Sequence, residues 1–206
     1  MSTSCGTVFL LDDDPGMLRA LTRLLTSEGF AVQGFTSAID FLAAYRAEEP
    51  GCLVLDVAMP GLGGLELQQH LAAAGNSLPI IFLTGHGDIP MSVQAIKAGA
   101  ADFLTKPVDD TRLLRAVRAA VQRAAEERAS ASELLLLRQR FACLTPRERE
   151  VMLHVVSGQL NKQTAADLGI GEHSVKIHRA RVMAKMEVQS LAALVRAADR
   201  LGVGRQ

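Results

Sequence analysis

Short apolar runs in the first half of the chain end in polar or charged side chains that could handle a phosphoryl group. In chain order, these side chains are Asp12, Asp13, Asp14, Asp56, Thr84 and Lys106. Carboxylates that meet in one crevice repel one another, so such a cluster needs a cation to neutralise it. Oxygen ligands in a partly hydrated site suit Mg²⁺, or another divalent cation such as Mn²⁺. These residue types therefore predict a divalent cation site, provided that the fold brings the ends of the runs together.

Asp56 could act as a nucleophile, because a carboxylate oxygen can attack phosphorus and form an aspartyl phosphate. The reaction also needs a fixed cation and a hydroxyl group to hold the transferred oxygens, which Lys106 and Thr84 would supply. Gly85 and Gly87 leave the loop beside Thr84 uncrowded. Taken singly, each aspartate is at least as often a solvated loop residue as a functional one, and a single Thr or Lys in a loop more often has no function. Their combination at several strand ends favours a function.

The elements that must position these residues alternate along the chain. The expected strands are Thr7–Leu11, Ala31–Phe35, Cys52–Leu55, Pro79–Leu83 and Asp102–Leu104. The expected helices are Met17–Ser27, Ala38–Ala47, Gly64–Ala74, Pro90–Ala98 and a longer one after Asp109. This alternation predicts an α/β fold with a doubly wound parallel sheet, whose functional crevice lies at the carboxyl ends of the strands.

Composition and charge indicate two domains with different partners. The 206 residues are 49% hydrophobic and carry no net charge, yet residues 1–126 hold 9 basic and 14 acidic residues, a net charge of −5. Residues 127–206 hold 13 basic and 8 acidic residues, a net charge of +5. We expect a first domain over 1–125, a helical linker over 126–140 and a small all-helical domain over 141–206. Four consecutive leucines, Leu134–Leu137, should pack between domains or between subunits.

The cysteines and the lack of long apolar segments indicate where in the cell the protein is found. Cys5, Cys52 and Cys143 have no metal-type spacing and are expected to be reduced thiols. The sequence shows neither an apolar run long enough to span a bilayer nor an export signal. We therefore expect a cytoplasmic protein with no membrane association.

The basic C-terminal part has the pattern of a helix-turn-helix DNA reader. Thr145, Pro146 and Glu148 form a helix start with a capping box. A short helix over Asn161–Leu168, a glycine turn and a second helix over Glu172–Met186 then follow.

The second of these helices divides into two faces. Val175, Val182 and Met186 can face the core. The expected DNA contacts are Lys162, His173, Lys176, Ile177, Arg179, Ala180, Arg181 and Lys185, of which His173, Lys176, Ile177 and Ala180 share the face that would enter the major groove. A basic helix alone is often only a solvated face. None of the histidines has ligand spacing, and we expect His178 to orient the helix.

The segments LLDDD, LDVAMPGLGG, FLTGHGD and ADFLTKP resemble the signature segments of two-component receiver domains over about residues 6–125. The resemblance implies a flavodoxin-like sheet of order 2-1-3-4-5 and Asp56 as the phospho-acceptor. It implies Asp12, Asp13, Asp56 and the backbone carbonyl of Ala58 as Mg²⁺ ligands, and Thr84 and Lys106 as phosphoryl contacts. It also implies a cis Lys106–Pro107 bond and a Phe103 ring that turns inward when Thr84 moves, although Phe103 could equally be a core residue of its strand. Asp14 is expected to be a loop residue or helix cap.

Residues 141–200, with LTPREREV, NKQTAADLGIG and SVKIHRARVMAKM, resemble the LuxR-type DNA-binding domain. Behind a receiver, this domain resembles the FixJ branch of the NarL/FixJ response regulators. Two positions depart from the family pattern: Gly171 replaces the usual Ser or Thr cap, and Thr164 replaces an aliphatic residue. The resemblance implies a transcription regulator that is phosphorylated by a sensor histidine kinase. It also implies a homodimer on phosphorylation, with double-stranded promoter DNA and RNA polymerase as partners.

The sequence is compatible with two other functions. The receiver could be a fixed dimerisation module that needs no phosphorylation, but such a module has no use for the intact set of charged crevice residues. The chain could also be an enzyme that turns over an aspartyl phosphate, such as a phosphatase. Ala58 stands two residues after Asp56, where that enzyme would need a general acid or base. We therefore expect no enzyme.

Overall fold

A computed structural model describes residues 6–46, 51–85 and 89–203. The strands are β1 (Thr7–Leu11), β2 (Ala31–Phe35), β3 (Gly51–Asp56), β4 (Ile80–Thr84) and β5 (Asp102–Thr105). The first five helices are α1 (Pro15–Ser27), α2 (Ala38–Ala44), α3 (Gly64–Ala73), α4 (Ile89–Lys97) and α5 (Asp110–Ala142). They are followed by α6 (Pro146–Val156), α7 (Asn161–Leu168), α8 (Glu172–Lys185) and α9 (Leu191–Leu201). Cys5 and Gly87, which the sequence interpretation used, lie outside the described residues.

The strands form one parallel sheet of order β2-β1-β3-β4-β5, which confirms the expected fold class and strand order. Every residue of β3 and β4 is buried, as expected for strands that are covered on both faces. Because β1 pairs with β2 on one side and β3 on the other, the connections leave it in opposite directions, and a crevice opens at its carboxyl end.

Side chains alternate between two cores, one on each face of the sheet. Val8 and Leu10 of β1 contribute to the core that also contains residues of α1 and α5. Phe9 and Leu11 contribute to the opposite core, with residues of α2, α3 and α4. In that second core, Tyr45 stacks on Phe41 with the ring centroids 5.1 Å apart. The Tyr45 hydroxyl donates a hydrogen bond to Asn76 Oδ1 at 3.3 Å.

Helix α5 is one continuous helix of 33 residues. The chain divides into two compact units, Met1–Arg128 and Ala129–Gln206, so the division falls within α5. Leu113 and Val117 of α5 lie in a core of the first unit, whereas Leu137 lies in the core of the second. Of the four consecutive leucines, Leu135 and Leu136 are more than half exposed. The predicted boundaries at residues 125 and 140 lie on either side of this division and stay a prediction.

The second unit is built from helices. Thr145 caps α6, Pro146 occupies its first turn, and Glu148 completes the capping box, as the sequence predicts. Helix α7 ends at Gly169, whose φ of 63° lies in the left-handed region that glycine adopts most readily. Val175, Val182 and Met186 of α8 are buried in the core, which confirms the predicted inner face. Among the described residues, no helix combines the length and apolar character that a membrane crossing would require.

Candidate functional site

The carboxyl ends of β1 and β3 bring the predicted acidic residues together. Asp12 follows β1 and is 2% exposed, and Asp56 ends β3 and is 6% exposed. Asp13 is exposed at the mouth of the crevice. One carboxylate oxygen of each residue lies within 4.8 Å of the others, so the three can face one ion. This set of hard oxygen donors fits a divalent cation such as Mg²⁺.

Lys106 joins the two buried carboxylates. Its Nζ atom donates hydrogen bonds to Asp12 Oδ2 at 2.7 Å and to Asp56 Oδ2 at 2.8 Å. Burial lowers the pKa of the ammonium, but its hydrogen bonds and its attraction to Asp12 and Asp56 outweigh burial, so the pKa is raised. Lys106 is therefore a cation fixed against the candidate nucleophile. The Lys106–Pro107 bond is cis, as the resemblance implied.

Backbone amides fix the orientation of both carboxylates. The Ala58 amide donates to Asp56 Oδ1 at 3.2 Å, and the Asp14 amide donates to Asp12 Oδ1 at 2.9 Å. The Asp14 carboxylate accepts from the Gly16 amide at 2.7 Å and caps α1, which confirms it as a helix cap. The proposed role of the Ala58 carbonyl as a metal ligand stays a prediction.

Thr84 and Phe103 lie beside the crevice on neighbouring strands. Thr84 is buried at the end of β4, and its carbonyl accepts from the Lys106 amide at 2.6 Å. Phe103 is half-buried on β5, with its ring centroid 6.1 Å from that of Phe82 in the sheet core. The structure thus places Phe103 against the core, and the predicted inward turn of its ring stays a prediction.

Gly64 is a residue of the site that the sequence interpretation did not single out. A Cβ atom at this position would lie 2.6 Å from the Asp56 carbonyl oxygen and 3.1 Å from the Val57 Cα atom. Only a glycine therefore allows α3 to begin directly against the backbone that carries Asp56. The adjacent pair Gly63-Gly64 after an aspartate loop was the available signal, but it does not reveal which glycine is required.

A second candidate site lies on α8. His173, Lys176, Ile177, Ala180 and Arg181 are all exposed, and Ala184 is exposed on the same side of the helix. Ala184 was not among the predicted contacts. Lys162 is exposed on α7. The exposed positions of α8 lie opposite its buried face, so the predicted contacts on this helix share accessible surface.

Two of the predicted DNA contacts, Arg179 and Lys185, are partly buried and form hydrogen bonds within the second unit. Arg179 donates to Asn161 Oδ1 at 3.2 Å. Lys185 donates to Glu148 Oε2 at 2.7 Å and to the Cys143 carbonyl at 3.1 Å. Lys185 therefore links the end of α8 to the start of α6 and to the chain just after α5.

Glu148 is the buried member of this ion pair and is 2% exposed. Its carboxylate accepts from Lys185 and from the Thr145 amide at 2.8 Å. These hydrogen bonds, that of Lys185 first, lower the pKa of Glu148 from the ordinary 4.5 to about 2. The carboxylate is thus ionised throughout the physiological pH range.

The two departures from the family pattern have visible consequences. Gly171 precedes α8 without a side-chain cap, and its carbonyl accepts the first helical hydrogen bond, from the Val175 amide at 3.2 Å. Thr164 is fully buried, with Oγ1 3.5 Å from Gln159 Oε1. His178 is partly buried on α8, and its Nδ1 atom has no hydrogen-bond partner among the described residues.

Comparison with known proteins matches both units. Residues 8–118 match the response regulator receiver domain, and residues 142–198 match the bacterial regulatory proteins of the luxR family. The chain belongs to the response regulators. This membership confirms the resemblance that the sequence motifs carried, a receiver domain followed by a LuxR-type DNA-binding domain.

Relatives of this response regulator match it over nearly its whole length. It is 46% identical to the response regulator protein TodT of Pseudomonas putida, over 98% of this chain and 88% of TodT. It is 48% identical to nodulation protein W of Bradyrhizobium diazoefficiens, over 95% and 86% of the two chains.

Solved structures agree with this response regulator in sequence and in fold. The response regulator StyR is 46% identical, with a TM-score of 0.87 over 94% of this chain and 98% of StyR. Full-length FixJ from B. japonicum is 42% identical, with a TM-score of 0.61 over 97% and 98% of the two chains.

Proposed function

We propose that Asp56 accepts a phosphoryl group from a sensor histidine kinase, and that this modification controls binding of double-stranded promoter DNA by the second unit. The observation that supports the proposal is the position of the Asp56 carboxylate, 2.8 Å from the Lys106 ammonium and beside Asp12. A nucleophilic carboxylate with a fixed cation and acidic neighbours is the combination that aspartyl phosphate formation requires. Because promoter DNA is its target, the proposal places the protein in the cytoplasm.

The cation site would be formed by Asp12, Asp13, Asp56 and the Ala58 carbonyl. A bound Mg²⁺ or Mn²⁺ ion would screen the negative charge of the incoming phosphoryl group. Without such screening, the carboxylates and the phosphoryl oxygens would repel one another.

The chain's own residues would carry out the transfer. An Asp56 oxygen attacks phosphorus, the bond from phosphorus to the donor breaks, and the donor leaves with the electron pair of that bond. Lys106 and the Thr84 hydroxyl hold the transferred oxygens. The Ala58 side chain supplies no acid or base, so the aspartyl phosphate persists long enough to act as a signal.

The response to the phosphoryl group would begin at Thr84 and Phe103. Movement of Thr84 toward the phosphoryl oxygens and of the Phe103 ring toward the core would change the surface formed by α4 and β5. This surface would then form a homodimer, so that two copies of α8 meet a two-fold related DNA site. The DNA-bound dimer would contact RNA polymerase.

Replacement of Asp56 by asparagine tests the proposal. With acetyl phosphate and Mg²⁺, wild-type protein should gain the mass of one phosphoryl group, sediment as a dimer and bind DNA more tightly. Asp56→Asn should show none of the three changes because its amide is a poor nucleophile. The control Asp110→Asn changes an exposed aspartate outside the crevice and should behave as wild type. Equal responses of wild type and Asp56→Asn would contradict the proposal.

A further inference from the structure

The exposed face of α8 carries an apolar line along its centre. Ile177, Ala180 and Ala184 are exposed at spacings of three and four residues, so they lie on one side of the helix. Ile177 is 40% exposed. The apolar side chains of the opposite face are buried in the core of the second unit, so this line is a second apolar surface that the fold itself does not cover.

The surroundings of this line are cationic. Lys176 and Arg181 are exposed on either side of Ile177, and Lys162 is exposed on the preceding helix α7. Although Lys176 has an ion-pair partner in Glu172 at 3.3 Å, both side chains stay about half exposed. A narrow apolar line bordered by positive charge complements a polyanion with apolar groups between its charged edges. The major groove of DNA has this pattern, with phosphates at its borders and base edges on its floor.

The base edges in the major groove offer one apolar group, the C5 methyl of thymine. An isoleucine offers no hydrogen bond to either kind of base pair, so the thymine methyl is the major-groove group that it can contact favourably, and a G·C pair has no such methyl. Ile177 is also stiff at its first side-chain torsion, which limits the positions that its methyl groups occupy. The short side chain of Ala180, one turn away, allows the helix backbone to approach the groove floor closely.

We propose that Ile177 is a specificity-determining residue that contacts the methyl group of a thymine in each half-site. The proposal rests on the proposed function in one respect, that α8 enters the major groove. It goes further because it names the base and the atom group that Ile177 recognises.

The test begins with selection of binding sites from random DNA by the full-length protein, with acetyl phosphate and Mg²⁺. Each thymine of the selected site is then replaced, one at a time, by deoxyuridine, which removes only the methyl group. Wild-type protein should lose affinity about three- to fivefold at one thymine in each half-site, the loss expected for one buried methyl group. Ile177→Ala should bind the thymine and deoxyuridine versions of that position equally well.

Leu191→Ala is the matched control, because Leu191 is also 40% exposed but lies on α9. It should keep the wild-type ratio between the two DNA versions. Far-UV circular dichroism at the assay temperature should be the same for Ile177→Ala and wild type, which separates base recognition from folding.

The outcomes distinguish this inference from the proposed function. Sequence-selective binding without a methyl effect at any thymine, or a methyl effect that persists in Ile177→Ala, would overturn the inference alone. Binding without sequence selectivity, with and without acetyl phosphate, would overturn both.

Discussion

At the scale of single residues, Lys106 has two opposing effects on the acidic crevice. Its ammonium holds the Asp12 and Asp56 carboxylates together, at 2.7 and 2.8 Å. The same two carboxylates belong to the cluster that could bind a divalent cation. Lys106 therefore stabilises the acidic crevice and opposes entry of a second positive charge.

We predict that Lys106→Met binds Mg²⁺ more tightly than wild type, by roughly three- to tenfold, because the competing ammonium is removed while the side-chain length is kept. Calorimetric titration of the full-length protein with Mg²⁺ measures the change. The control Lys97→Met removes an exposed lysine of α4 and should leave the affinity unchanged. Unchanged or weaker binding by Lys106→Met would show that the ammonium does not compete. The same variant should lose the response to acetyl phosphate, since the phosphoryl oxygens lack their fixed cation.

At the scale of secondary-structure elements, the link between α6 and α8 depends on one buried carboxylate. Glu148 lies in the first turn of α6, and Lys185 is the last residue of α8. Their ion pair fixes the end of α8 relative to the start of α6. We therefore propose that Lys185 positions α8, whereas Lys162, Lys176 and Arg181 remain available for contacts with DNA.

We predict that Glu148→Gln lowers the free energy of unfolding of the second unit by about 1–3 kcal/mol at neutral pH. The reason is that the Lys185 ammonium loses its charged hydrogen-bond partner. Since the pKa of Glu148 is lowered from 4.5 to about 2, the stabilisation by its charge is fully present above pH 4.5. It is lost as the pH falls through about 2, so the difference between wild type and Glu148→Gln should narrow on acidification.

Hydrogen exchange of peptides from α6 to α9, measured in urea between neutral pH and about pH 3, follows this unit within the whole chain. Glu150→Gln is the control, because Glu150 lies on the same helix with an exposed carboxylate. A pH-independent difference for Glu148→Gln would rule out the contribution of its charge.

The sequence was sufficient to predict the elements and most of the crevice, because both depend on local patterns. Apolar runs identified the five strands found among the described residues, and Asp12, Asp56, Thr84 and Lys106 follow from their positions at strand ends. The runs placed Asp56 and Thr84 just after their strands, whereas backbone pairing with Leu83 and Thr105 makes each of them the last strand residue. A change from apolar to polar side chains does not show where the backbone ladder ends.

Contacts between distant residues were not predictable in this way. The sequence predicts Lys185 as a DNA contact because helical periodicity places this basic residue outside the core face of α8, and that role stays a prediction. Its partner Glu148 lies 37 residues earlier, and their meeting depends on how α6 and α8 pack. Gly64 was not predicted for a similar reason. The absence of space for a Cβ atom at this position depends on the path of the backbone after Asp56.

At the scale of the whole molecule, α5 is shared by the two units. Its first half contributes Leu113 to a core of the first unit, and its last third contributes Leu137 to the core of the second. One helix therefore takes part in two separate hydrophobic cores. The position of a substitution along α5 should decide which unit it destabilises.

We predict that Leu113→Ala destabilises the first unit and that Leu137→Ala destabilises the second, each by about 2–5 kcal/mol, because each removes buried side-chain volume. Hydrogen exchange of the full-length protein should locate the loss of protection in β1–β5 for the first variant and in α6–α9 for the second. Leu135→Ala, at an exposed neighbouring leucine, is the control and should change neither. Loss of protection in both units from either core variant would show that they unfold together.

The stacked ring of Tyr45 has a practical consequence for spectroscopy. It is the one tyrosine of the chain, which has no tryptophan. Tyrosine emission therefore originates in the first unit, and the second unit has no tyrosine or tryptophan fluorescence of its own. A tryptophan introduced on an exposed position of α9 would give the second unit its own signal. A change in Tyr45 emission when DNA is added to the chain without that tryptophan would show that DNA binding alters the surroundings of Tyr45 in the receiver domain.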